Sequence, residues 1–326
     1  MKKRDSYFDF LRGIAIIFVV GIHTLSGYGF DNLGEIFNVI VRQAIGCAVP
    51  MFLAISGYFI AKKDLSTKTA YFSFLKRQVP KVYVPVLIYS LPFLAIAIYQ
   101  GDNLAVQLLL YLCCGYSIYY FIALIIQYYA LTPLLSRIKR GGVIVCALIS
   151  LISISGITYL LKIEAVRLPL IVYAGAFPVW IVFYALGCYI GRTGLTRNLT
   201  LWIALSIIGV IASVIESQYL LQYAPSYGIK PSAFFYSLCI IMVMFNERIH
   251  NGFKENSLTK AIAWLGKVSF AVYLTHCFLI LPLSRTLISN GYLLWIVTLA
   301  LDSILIAAAI KLLPKTICTK IGIIPA

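Results

Sequence analysis

Apolar residues in this chain gather in continuous blocks of about 20, separated by short polar stretches, rather than recurring at face spacing. Ten such blocks stand at about 8–28, 37–60, 83–100, 117–137, 143–161, 171–191, 200–221, 231–246, 262–284 and 292–312. A helix of about 20 residues spans the roughly 30 Å hydrocarbon core of a bilayer. Barrel strands would instead alternate over about ten residues. A shorter apolar run at 104–114 fits a re-entrant or interfacial piece before the fourth helix. The pattern predicts an all-α, polytopic integral membrane protein of about ten transmembrane helices, forming one transmembrane domain over residues 1–326. It has no internal repeat, low-complexity tract or soluble domain.

Composition agrees. The chain is 61% hydrophobic and 12% charged, where a soluble domain is nearer 45–50% and about 25%. The net charge of +16 would suit nucleic acid only if it formed a stripe on a soluble face. Instead the cations punctuate the apolar blocks. Lys2, Lys3, Arg4, then Lys62 to Lys81, Arg137 to Arg140, Arg192 and Arg197, Arg248 to Lys267, and Lys311 to Lys320 fall on one side. The other side holds Lys162, Arg167, Lys230 and Arg285. Such asymmetry places both termini in the cytoplasm, with lipid rather than nucleic acid as the surface partner. The eight cysteines lie in or beside apolar blocks without zinc-type spacing, and read as small buried hydrophobes.

Polar residues inside the blocks carry the candidate chemistry. The first block, DFLRGIAIIFVVGIHTLSG, contains Arg12 and His23. Ionisable groups at such positions cost on the order of 2.5–3.5 kcal/mol on insertion scales, so they are rarely idle. Eleven positions apart, the two share one side of a helix, about 16 Å apart along its axis. Asp9, three residues before Arg12, is placed to pair with it. The block is too long for a cleaved signal peptide. Segment 74–85, FLKRQVPKVYVP, holds Lys76, Arg77 and Lys81 at the cytoplasmic mouth of the third span. It reads either as ordinary positive-inside anchoring or as a phosphate site, with Pro80 disturbing the spacing of Arg77 and Lys81. His276 is a second intramembrane histidine, suited equally to hydrogen-bonding a neighbouring helix or to catalysis. Arg42, Glu216 and Asp302 are further intramembrane charges, able to neutralise Arg or His, line a cavity or relay protons.

No Walker loop, dinucleotide fingerprint, HExxH or GxSxG is present, which argues against an energy-coupled pump. What remains is a polar seam with a deep base, an arginine on the same face and a basic mouth. It fits transfer of a group from a phosphorylated cytoplasmic donor to an acceptor at the other surface, with His as base or nucleophile. It fits a proton-coupled transporter equally well, with a scaffold in an envelope-polysaccharide complex as a third reading.

Five stretches, in order, resemble the integral-membrane acyltransferase-3 family. They are YFDFLRGIAIIFVVGIH, PMFLAISGYFI with its Ser56-Gly57 pair, FLKRQVPKVYVP, IYYFIALIIQYYALTPLL and WLGKVSFAVYLTH. The resemblance implies O-acyl transfer, usually of acetyl from acetyl-CoA, to a glycan or lipid-linked glycan in the envelope of a bacterium, at its inner membrane. It implies a catalytic His23 with Arg12 as partner, and an Arg77 and Lys81 pair contacting CoA phosphates. His276, Asp9, Glu216, Asp302 and Ser56 are then candidate pore or substrate residues, and no metal is expected. Ending at Ala326, just after the last apolar block, the chain is expected to be a stand-alone form, without the extracytoplasmic domain fused to some relatives.

Overall fold

Helix starts follow local side-chain chemistry. Asp5, Asn32, Thr67, Asn103 and Asn290 each accept a hydrogen bond from a backbone N–H of the first helical turn that follows, and Asn256 and Thr259 cap each other reciprocally. Pro231 opens its helix at a position where the missing N–H costs nothing.

The computed structural model describes residues 5–25, 29–223 and 228–324. The cations at 2–4 and the last residues of the first expected span, 26–28, lie outside them. The helices are α1 (Ser6–Thr24), α2 (Leu33–Ile45), α3 (Ala48–Ile60), α4 (Lys68–Tyr99), α5 (Leu104–Leu112), α6 (Tyr120–Leu135), α7 (Arg140–Thr158), α8 (Leu170–Tyr173), α9 (Phe177–Thr193), α10 (Leu199–Leu220), α11 (Pro231–Met244), α12 (Glu247–Gly252), α13 (Ser257–Lys267), α14 (Ser269–Thr286), α15 (Gly291–Leu312) and α16 (Lys315–Lys320). A 3₁₀ turn, Ser117–Tyr119, precedes α6, and a π turn, Tyr159–Ile163, follows α7. Among the described residues the extended structure is an isolated bridge between Thr196 and Asn246.

All ten expected blocks are occupied by helix. Among the described residues, seven helical stretches are long and apolar enough to cross a membrane, and α13 with α14 makes a broken eighth. The remaining two blocks hold the shorter α9 and α11, of 17 and 14 residues. The protein is a polytopic helical membrane protein.

Three local expectations change. The third span begins at Lys68 rather than 83, so the basic FLKRQVPKVYVP segment is helical throughout, with Pro80, Pro85 and Pro92 inside α4. A proline removes one backbone bond and strains one turn, but in an apolar medium a continuing helix still satisfies far more backbone than a loop would. The block at 262–284 is not one straight helix: α13 and α14 meet at 81°, with Val268 in a non-helical conformation between them. Cys113, unlike most of the cysteines, is exposed.

Small residues set the bundle. A Cβ on Gly266 would lie 1.7 Å from the Asp9 carbonyl oxygen, and one on Gly13 would lie 2.0 Å from that of Ile262. Thus α13 crosses α1 with backbones in contact. In the same way Gly187 meets the Ala54 carbonyl and Gly191 that of Tyr58, so α3 and α9 run side by side in the same direction. In lipid, where apolar side chains gain nothing by leaving the tails, such close approach is a main source of helix association.

Candidate functional site

The polar face of α1 is where the sequence places it. Arg12 Nη1 donates to Asp9 Oδ1 at 3.1 Å, and Asp9 is buried. The guanidinium also lies 4.9 Å from the centre of the Phe59 ring on α3, within cation–π range. Arg12 and His23 both line one chamber of about 220 Å³, with Val19, Phe52, Tyr120, Phe121, Ser269 and Tyr273. His23 has accessible surface and lines the chamber. It sits in the last turn of α1, nearer the helix end than the sequence suggests.

His276, from the middle of α14, meets His23 with ring centres 5.3 Å apart. Its Nδ1 lies 2.9 Å from the Val272 carbonyl, which can only accept. Nδ1 therefore carries the proton, and Nε2 presents its lone pair. Nε2 is buried and has no protein partner among the described residues. A reciprocal pair of tyrosine bonds fixes this part of α14: Tyr273 donates to the Ile118 carbonyl at 2.8 Å, and Tyr119 to that of Leu274 at 3.0 Å.

The chamber shares Arg12, Ser269 and Phe270 with a larger cavity of about 770 Å³. Asp5, Asp9, Lys62, Lys81 and Lys267 also line it, as does the C-terminal stretch from Thr319 to Ile324. The two ends of the chain thus meet at one lysine-rich mouth. Its acids are engaged, Asp9 with Arg12 and Asp5 with His250 at 2.9 Å, which leaves the mouth net positive. Just outside it, partial burial and then the nearby Arg77 and Lys81 charges hold the Lys63 ammonium below the ordinary lysine range.

On its other side the chamber shares Ile22, Val49 and Tyr120 with a third cavity, of about 270 Å³. Three adjoining cavities therefore run from the lysine-rich mouth past the histidines to the opposite end of the bundle.

The structure does not gather every candidate. Lys81 lines the mouth, but Arg77, on the same helix, is exposed and outside the lining. Only one member of the proposed basic pair therefore borders the cavity: Arg77 shares the helix face of Lys81 but stands one turn, about 6 Å, nearer the start of α4. Ser56 is half-buried on α3, outside the chamber lining. Asp302 is buried on α15 and accepts from Thr275 at 2.8 Å, beside the histidine helix rather than in the chamber. Glu216 accepts from the backbone N–H of Ser232 at 2.9 Å and from its hydroxyl, and so anchors the start of α11. Sequence reasoning passed over Tyr120, Ser269 and Tyr273 as site residues, although the last two lie in the quoted WLGKVSFAVYLTH stretch.

A chamber holding a histidine pair and adjoining a basic mouth, inside a helical bundle, defines an integral-membrane protein with a polar site within its span. A family model described as an acyltransferase domain matches residues 5–312, from the cap of α1 to the end of α15. The chain belongs to this acyltransferase-3 family and is a membrane acyltransferase. Comparison with curated proteins and with solved structures gives no match.

Proposed function

We propose that the protein moves an acyl group, acetyl by the family's usual donor, from cytoplasmic acyl-CoA to a hydroxyl of a cell-surface polysaccharide or its lipid-linked precursor. The observation that supports it most is the meeting of His23 and His276 in a chamber whose far wall, Arg12, also borders the lysine-rich mouth. In this reading Lys62, Lys81 and Lys267 meet the phosphates of CoA as point charges. The acyl thioester reaches past Arg12 into a chamber of about 220 Å³, a volume that favours a short acyl group over a long chain.

His23 is the group that meets the acceptor. It removes the hydroxyl proton as the oxygen bonds to the thioester carbonyl carbon. The carbon–sulfur bond then breaks, and the proton passes to the departing thiolate, which restores the neutral imidazole. His276, held by the Val272 carbonyl, is a positioning residue for His23. Bacterial inner-membrane placement follows from the same reading.

The test is transfer of label from acetyl-labelled acetyl-CoA in inverted vesicles containing native envelope lipids. Label should enter a glycan or lipid-linked fraction, and His23→Ala should slow this about 10²–10⁴-fold, the usual worth of an acid–base group. More than a tenth of the wild-type rate in that variant would remove His23 from the chemistry. The face-to-face series of cavities also fits a proton-coupled transporter. Substrate uptake independent of CoA, with no label transferred, would favour that second reading.

A further inference from the structure

The outermost cavity holds a concentration of charge that the acyl-transfer reading leaves unused. Three cations line it: Arg42 from the last turn of α2, Lys162 from the π turn after α7, and Lys230 at the cap of α11. No Asp or Glu is among its described lining residues, and the Glu216 carboxylate, which acts on Lys230 from outside the lining, is hydrogen-bonded to Ser232. The side of the membrane it faces is otherwise poor in cations. Of the four assigned there from the sequence, Lys162, Arg167, Lys230 and Arg285, two border this one cavity. Positive-inside sorting works against lysine on that side, so its clustering here calls for a local cause.

Lys230 gives a second sign of construction. It is fully buried, donating at 2.7 Å to the Ser213 carbonyl and also to the Ser217 hydroxyl. Burying an ammonium is costly unless it is well bonded, and here α10 supplies those bonds while the lysine still borders the cavity. The remaining wall is largely apolar and includes five aromatic rings, those of Tyr120, Tyr173, Trp180, Phe183 and Phe234. Flat rings beside fixed cations suit a ring-shaped ligand that carries an oxyanion. Ile22, Val49 and Tyr120 border both this cavity and the chamber lined by His23.

We propose that this outer cavity binds an oxyanion, carboxylate or phosphate, borne by the acceptor glycan, and so holds the hydroxyl to be acylated beside His23. The proposal rests on the acyl-transfer reading for its substrate, but the binding itself is measurable without catalysis. Its test is equilibrium binding of three radiolabelled probes to the full-length protein in zwitterionic lipid discs: methyl glucuronide, methyl glucoside and inorganic phosphate.

The glucuronide or phosphate should bind at least about tenfold more tightly than the neutral glucoside, a difference of about 1.4 kcal/mol. Lys162→Gln and Arg42→Gln should each erase most of that preference, Lys162→Arg should keep it, and His23→Ala should keep it. Preference for the glucuronide identifies a sugar acid as the source, and preference for phosphate a phosphorylated or lipid-linked glycan. Equal binding of charged and neutral probes would overturn the site, as would a preference unchanged in both Gln variants. A preserved anion preference in a protein that moves no label from acetyl-CoA would overturn acyl transfer and leave the anion site standing.

Discussion

At the lysine-rich mouth, the ammonium of Lys62 rests 3.9 Å from the centre of the Tyr58 ring, and Lys267 is exposed. At the opposite cavity, Lys230 is fully buried and held by Ser213 and Ser217. The volumes differ as well, about 770 Å³ against about 270 Å³. One end offers solvent-facing charges around a large opening. The other sets its charges into the wall, which costs desolvation but fixes where an anion lies. Solvent-facing cations contribute through number and respond to salt, whereas a built-in cation contributes through geometry and is sensitive to the loss of its own partners.

The comparison breaks most severely at Gly266, which belongs to the mouth. A side chain there runs into the Asp9 carbonyl, so Gly266→Leu should force α1 and α13 apart and cost several kcal/mol, as backbone-level overpacking does. Folded yield and thermal melting check this, and wild-type melting would refute the crossing as a fixed joint. Next comes the wall of the outer cavity. Ser217→Ala removes a bond to the buried ammonium of Lys230 and should cost about 2 kcal/mol in denaturant unfolding, while Lys62→Ala at the mouth should stay within about 0.5 kcal/mol. Equal costs would erase the distinction between the two ends. Smaller again is Lys81→Met, expected to raise KM for acyl-CoA about fivefold, roughly 1 kcal/mol, with the difference shrinking at high salt. The smallest effect belongs to Arg77→Met, within about twofold, because Arg77 is exposed and lies outside the lining of the mouth. A larger effect at Arg77 than at Lys81 would restore the basic pair that the sequence suggests.

What the sequence made legible was whatever depends on local pattern. Apolar block length located helix in each of ten blocks, because a bilayer demands length and saturation of the backbone. The Asp9–Arg12 pair and the shared side of Arg12 and His23 followed from helical geometry within one segment. The early start of α4 lay outside the apolar block, since its first turns carry Lys76, Arg77 and Lys81 and carry no apolar run. The 81° bend at Val268 carries no local mark: Pro282 lies inside α14, and the crossing of Gly266 over Asp9 accompanies the turn. The approach of His276 to His23, and of Lys162 and Lys230 to Arg42, joins residues far apart in the chain. Such pairings depend on how helices pack, which no single segment encodes.

Arg12 has a consequence for the membrane itself. Cavities that adjoin from face to face are a leak hazard, because a continuous file of water would let protons run down the transmembrane potential. Arg12 borders both the mouth and the histidine chamber, tied to a buried Asp9 and lying over Phe59. In water-selective pores an arginine raises the barrier to protons and other small cations, and here Asp9 offsets part of that charge. On the acyl-transfer reading, one side chain would then serve both the passage of ligand and the retention of the charge gradient.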